Sequence, residues 1–356
     1  MDEFENTTLW KDFASKATDE QRQMVRQLVK RASQRLELIR DTFPTYTLHN
    51  NIHAHNVITL MGHLLGPELR KITPLEGAFL ILSAYCHDIG MVFDDDERHN
   101  IRGEPQFQTF LSEHPEQALD VHNNKDLSAD IAELYCRWCH PDRVAKFLHS
   151  PDLQNDAIKW GVTSLRDTLS AVCRSHGYDV DKLITGCETL DSTFRGGEAD
   201  LMFCAIVLRL ADIMDFDNTR SPEEVYKYIG VGRRTDKRHT LSDVEWLKHL
   251  ASEGFRFPAD RDDSHYILAF IARPDHPAVE YDIRQFLDTI ENEFRKCNGI
   301  LRHCSDKWRN FRLPDRIDRK DITSNGYKYG EYRFTLQHTQ IINLLMGDNL
   351  YADPHV

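Results

Sequence analysis

The sequence has no hydrophobic run long enough to cross a bilayer. The longest, Leu201–Leu208, falls far short of the roughly 20 apolar residues that a membrane helix needs. The opening MDEFENTTLW is acidic and has no apolar core of the kind an export signal carries. Positive charge is not in excess either. A net charge of −13 argues against a general nucleic-acid coat and against an anionic membrane surface as partner. A nucleotide ligand stays open, because it needs only local cations. Internal repeats and low-complexity stretches are missing. The eight cysteines are scattered, which fits reduced thiols better than a disulfide framework. Together these absences imply a cytoplasmic protein without a membrane partner.

What is present is an ordinary globular composition, 40% hydrophobic over 356 residues, enough for about two domains and a sizeable core. Its organising stretch is Phe79–Met91, FLILSAYCHDIGM. An apolar run climbs one helix and delivers His87 and Asp88 together, with Gly90 opening the turn. A carboxylate at the end of such a run is costly to bury without a cation or donors. Neutral imidazole nitrogen beside anionic oxygen suits a divalent transition metal. An isolated His–Asp pair is weak evidence, so the other helices must contribute.

They do so by phase. Asp19–Arg40 places Val25, Leu28, Val29, Ala32 and Leu36 on one stripe, with Pro44 as its stop. A helix starting near Asn51 carries His53, Val57, Leu60, Met61 and Leu64 on one face, which turns His53 inward. Residues 92–126 are polar and turn-rich and read as an insertion or lid; the acidic run Asp94–Glu97 reads as solvated. Leu127–Trp138 returns to helix, with Leu127, Ile131, Leu134, Tyr135 and Trp138 as its stripe. Pro141 is expected to end that helix and leave His140 at a junction. Leu165, Leu169, Val172, Cys173 and His176 line another face, with Gly177 as C-cap. In ADLMFCAIVLRLADIMDF, Arg209, Asp212 and Asp215 share an arc of roughly 120°. Either Arg209 pairs internally with Asp212 or Asp215, or Asp212 is a metal ligand. Beyond Arg220, strand-like HYILAFIA and a helix with Ile283, Phe286, Leu287, Ile290, Phe294, Cys297 and Leu301 suggest a small α+β appendage. Residues 311–335 read as an irregular connector.

His53, His87, Asp88, His140, His176 and Asp212 thus fall inward on helices far apart in sequence, which is how a metal site in a bundle is assembled. Four imidazoles and two carboxylates exceed one catalytic zinc site. They fit two divalent ions (Mn, Mg, Fe, Ni or Zn) bridged by Asp88. Arg137, Arg209 and Arg220 are candidates to grip phosphate, since guanidinium matches it bidentately. Structural salt bridging is their alternative. His49, one turn before His53, is a candidate support or proton donor to a leaving group. Cys136 to His140 spells CxxCH, a haem-attachment pattern; without an export signal, buried thiols are the simpler reading.

The ordered set resembles the HD superfamily of metal-dependent phosphohydrolases. YTLHNNIHAHNV looks like the first His motif, CHDIGM the HD motif and LRLADIMD the terminal Asp motif. His140 and His176 take the places of the extra histidines of dinuclear members, such as HD-GYP-type and mammalian-type cyclic-nucleotide phosphodiesterases. No GYP signature is present. Joined to the residue pattern, which supplies the small α+β subdomain over 223–310 and the connector and lead-in over 311–356, the resemblance over roughly residues 40–220 implies a mainly α fold with an HD-type helical bundle over 1–222. It implies a phosphohydrolase or phosphodiesterase acting on a nucleotide or related phosphoester, with Asp88 orienting the attacking water. FTLQHTQIINLLMGDNLYADPHV resembles the lead-in to a heat-shock-chaperone-type GHKL ATPase. That implies a longer protein or a truncated relative, and a downstream ATPase as possible partner. The alternative function is then a nucleotide-sensing module that regulates such an ATPase. A di-iron oxygenase is a third class.

Overall fold

The computed structural model describes residues 3–43, 47–124, 126–153, 158–185, 190–222, 226–227, 237–258 and 266–330. Pro44, expected to stop the first long helix, and the ATPase-like tail at 334–356 lie outside the described residues. Among the described residues the fold is mainly helical, with a two-stranded antiparallel hairpin (Lys159–Trp160 with Thr163–Ser164) and one small mixed sheet, in accord with the fold class expected from the sequence.

At its centre is α4 (Pro74–Cys86), and the sequence sets its limits. Thr73 and Glu76 form a capping box, Pro74 sits at the first turn, and every residue from Leu75 to Cys86 is buried. A helix apolar all round must be covered on all sides. Five others do so: α1 (Thr8–Lys16), α2 (Asp19–Leu36), α3 (Asn51–Leu65), α8 (Arg166–Arg174) and α9 (Leu201–Met214). Each fully buried Leu, Ile or Phe along α4 contributes roughly 1.5–3 kcal/mol of transfer free energy.

Residues 92–124, in the segment expected to be an insertion or lid, are largely helical. Two short helices, α5 (Phe107–Glu113) and α6 (Pro115–Asn123), follow a single helical turn at Asp95–His99 that is capped by Asp94. Phe107 and Phe110 are buried against Tyr135, so the segment has its own apolar anchor. Nor is the acidic run merely solvated. Glu97 accepts from Arg143 at 3.0 Å and pairs with Lys146.

α7 spans Ala129–Leu148 and runs straight through Pro141, contrary to the expected break. Pro141 lacks the N–H that would bond the Arg137 carbonyl one turn back. The His140 ring fills that vacancy, its Nδ1 lying 2.5 Å from Arg137 O. The helix therefore loses a backbone bond without orphaning an acceptor. Leu134, expected in the buried stripe, is 39% exposed and turns toward a cavity.

The appendage begins with α10 (Lys237–Leu250), then β1 (Ser252–Arg256) and β2 (Ile267–Ala272). α11 (Pro277–Ile300) follows, and β3 (Arg316–Asp318) closes the sheet. Strand order is β1-β2-β3, with β1 antiparallel and β3 parallel to β2. Leu268, Phe270 and Ala272 alternate inward along β2. The expected connector thus contributes a strand; three residues are too few to show a period in sequence.

The segment after α11 returns to the central helix. Glu76, fully buried, accepts from Trp308 Nε1 at 2.9 Å and Lys307 Nζ at 2.6 Å. The Trp308 ring stacks on Phe203 of α9 at 3.9 Å. One apolar core consequently runs from Phe4 to Ile322, across the boundary expected at residue 222.

Candidate metal centre

Six side chains converge where α3, α4, α7, α8 and α9 meet. His53 projects inward from the first turn of α3, whose Asn50 cap fixes the helix start. His87 caps the C-terminus of α4, and Asp88 follows before the turn Ile89–Met91. His140 comes from mid-α7, His176 from the turn after α8, and Asp212 from the last turn of α9.

His53 Nε2 and His87 Nε2 are 3.1 Å apart, and His140 Nε2 and His176 Nε2 are 3.0 Å apart. Asp88 lies between the pairs. Its Oδ2 is 3.3 Å from His53 and 3.2 Å from His87; its Oδ1 is 3.4 Å from His140 and 3.8 Å from His176. Asp212 Oδ1 joins the first pair, 3.3 Å from His53 Nε2 and 3.5 Å from His87 Nε2.

Every ring is tied by its other nitrogen. His53 Nδ1 is 2.6 Å from Asp215 Oδ2, His87 Nδ1 3.0 Å from Ala84 O, and His140 and His176 Nδ1 each 2.5 Å from Arg137 O and Cys173 O. A ring that donates at Nδ1 presents a lone pair at Nε2. Lone pairs facing at about 3 Å repel unless a positive species lies between them. Asp88 Oδ2 is also buried without a hydrogen-bond partner, and such atoms call for a compensating ion or donor. The donor set therefore fits divalent cations. Among the described residues, two groups bring ligand atoms together: His53, His87 and Asp88, and Asp88, His140 and His176.

Electrostatics agree. Burial and Arg220 oppose a charged His53, yet the Asp212, Asp215 and Asp88 carboxylates around it raise it to about 9. Burial opposes charge on His87 too, but the Asp88 and Asp212 carboxylates raise it well above the ordinary imidazole value. Asp88 and Asp212 are held well below the carboxylate range, against burial, by the imidazoles around them. Burial and the His87 and His140 rings push His176 down to about 4. The pocket is thus anionic and already prefers positive charge at its centre.

Two close approaches make the convergence possible. A Cβ on Gly90 would overlap the His140 carbonyl, and one on Gly177 would overlap the Pro141 ring. Gly177 has no positive φ, so its role is this contact and not the C-cap expected from sequence. Arg143 secures the turn, its Nε donating to Gly90 O at 3.1 Å.

The arginines divide. Arg220, nearly buried, donates to His49 Nε2 at 2.8 Å and to Leu48 O, and lies 3.7 Å from Asp215. Arg209 pairs with Glu293 on α11 and donates to the carbonyls of His176 and Tyr178; of the two alternatives weighed from sequence, the internal pair with Asp212 or Asp215 is not formed among the described residues. Arg137 is exposed and lines the cavity. His49 places Nδ1 2.7 Å from Thr47 O and Nε2 against Arg220, and burial with Arg220 keeps it neutral, well below its ordinary value. Both nitrogens are engaged, which leaves the expected proton donation without a free N–H. Cys136 and Cys139 are buried thiols, Cys139 pushed up to about 12 by burial; neither joins the cluster.

Sequence reasoning missed Asn56 and, although it weighed Asp215 as a partner of Arg209, the role of Asp215 in holding His53. Asp215 is buried, holds His53, and accepts from Asn56 Nδ2 at 2.9 Å. The i+3 spacings His53–Asn56 and Asp212–Asp215 were the available signal. Over the cluster opens a cavity of about 1260 Å³, whose lining includes Asp88, His140, His176, Asp212, Lys248 and Phe286. No helix among the described residues is long and apolar enough to cross a membrane.

No curated protein and no solved structure matches the chain. A family model, HD-CE, matches residues 43–296, which contain all six converging side chains and continue into the α+β appendage. The chain belongs to the HD-CE family, a family of HD-type domains.

Proposed function

We propose that the protein is a metal-dependent phosphohydrolase acting on a nucleotide or related phosphoester. Two ions would be held by His53, His87, Asp88 and Asp212 on one side and by Asp88, His140 and His176 on the other. The observation that carries this reading is the shared carboxylate: Asp88 directs one oxygen to each imidazole pair, and one of those oxygens is buried without any other partner. Such ions supply Lewis acidity toward a phosphoryl oxygen and toward a water molecule.

The chain's own residues orient and enclose. Asp215 and the carbonyls of Ala84, Arg137 and Cys173 lock the four rings, so the nitrogens need no reorganisation when the site is filled. Arg220 and Arg209 brace the walls, the first through His49 and Leu48, the second through the His176 carbonyl. The cavity is roomy enough for a nucleotide, since small-molecule sites commonly occupy about 300–1000 Å³.

Metal analysis and a turnover panel test this. Protein loaded with Mn²⁺, Ni²⁺ or Mg²⁺ is offered nucleotides, cyclic nucleotides and a generic phosphodiester. Asp88→Asn is expected to lower bound metal and to reduce kcat by a factor of about 100 or more. Failure of a metal-loaded sample to turn over any of them counts against the hydrolase, and a nucleotide bound tightly but recovered unchanged favours sensing.

A further inference from the structure

We infer that Lys248, on α10 of the appendage, binds the phosphate of the substrate; this deepens the phosphoester reading and rests on it. Among the described residues, four cations line the cavity: Arg137, Arg209, Arg220 and Lys248. Arg209 and Arg220 are committed to internal partners, Glu293 and backbone carbonyls for one, Asp215, Leu48 and His49 for the other. Arg137 stands at the exposed edge.

Lys248 differs from all three. It is only 7% exposed, and a buried ammonium is costly unless its three donors are met. Among the described residues its one anionic partner is Glu245, at 2.7 Å, and that carboxylate is 53% exposed. An ion pair with a solvated partner compensates burial weakly. The Phe286 ring, 5.1 Å from Nζ, adds a cation–π contact but meets none of the ammonium's N–H donors. Lys248 therefore lines the cavity that opens over the imidazole–carboxylate cluster, its ammonium short of acceptors. A phosphate reaching the cluster supplies them. Ile213, Val244 and Phe286, in the same lining, give the ester's organic part an apolar surface. Glu245 also lines the cavity, where it competes with the phosphate for Lys248.

Calorimetric titration of the metal-loaded full chain with inorganic phosphate, beside steady-state kinetics on the phosphoester, tests this with substitutions of opposite sign. Lys248→Met is expected to weaken phosphate binding about tenfold or more and to raise KM by a similar factor, with kcat changed less than threefold. Lys248→Arg restores most of the affinity. Glu245→Gln, at an exposed position, tightens phosphate binding about threefold, which a merely structural lysine would not produce. Unchanged phosphate affinity in both Lys248→Met and Glu245→Gln overturns the inference. If Lys248→Met does not fold, unchanged affinity in Glu245→Gln alone overturns it. Absence of turnover in the wild type strikes the hydrolase reading instead, and phosphate binding still reads Lys248.

Discussion

At the scale of single residues, most of the site's design lies in the atoms that face away from its centre. His53 is held by Asp215, and Asp215 in turn by Asn56 and Arg220. Replacing such a partner of a ligand typically costs 10–100-fold in metal affinity. Asp215→Asn is accordingly expected to weaken metal uptake by roughly that factor, read in a competitive chelator titration; unaltered affinity would mean that His53 needs no orienting carboxylate. Glu97 makes a prediction away from the cluster. Lys146, its Asp94 backbone contact and Arg143 outweigh burial and lower its carboxyl to about 2. A depressed folded-state value stabilises above the unfolded value of about 4.5 and is lost as pH falls toward 2. Glu97→Gln should therefore lose about 1–2 kcal/mol at pH 7, a figure reduced for partial solvation. The difference from wild type should shrink steadily below pH 4.5, as urea unfolding at a series of pH values will read.

At the scale of elements, the second imidazole pair depends on a proline that ordinarily breaks a helix. Pro141 frees the Arg137 carbonyl for His140 Nδ1, and its ring packs where Gly177 has no side chain. Pro141→Ala returns an N–H that competes for that carbonyl. We expect unchanged or higher thermal stability, because proline inside a helix costs up to about 3 kcal/mol, together with weaker metal binding. Gly177→Ala alone should destabilise by about 1–3 kcal/mol through overlap with Pro141. Combined with Pro141→Ala it should cost markedly less, and additive losses in the double-mutant cycle would show that the ring is not the obstacle. These residues also show what the sequence could disclose. Helical phase was enough to turn His53, His87, His176 and Asp212 inward, since each ends or interrupts an apolar stripe. The same reasoning misplaced His140's surroundings, because a proline's effect depends on who takes the orphaned carbonyl. Arg209's partner was equally hidden: Glu293 stands on α11, and nothing in the local sequence ties them.

At the scale of the whole molecule, the central question is how far the helical bundle depends on the chain that follows it. The appendage was legible as α+β from the strand-like run HYILAFIA and the heptad-like face of α11, whereas its attachment was not. That attachment runs through a buried Glu76 serving both ends of the chain: its own helix cap through Thr73, and Lys307 and Trp308 far beyond. Trp308 covers Phe203 face to face, and Phe311 packs edge-on against both rings. α11 adds the Arg209–Glu293 pair, and α10 lines the cavity over the cluster. Bundle and appendage thus share one apolar core, and cooperative unfolding of both is the consequence. Trp308→Ala should cost about 3–5 kcal/mol, the range for deleting a buried aromatic ring, and should lower the stability of the bundle itself. Calorimetry checks this as a single transition in wild type that moves to lower temperature as a whole in the variant. Two separate transitions, with the one that carries bound metal unmoved by Trp308→Ala, would show instead that the metal centre stands on the bundle alone.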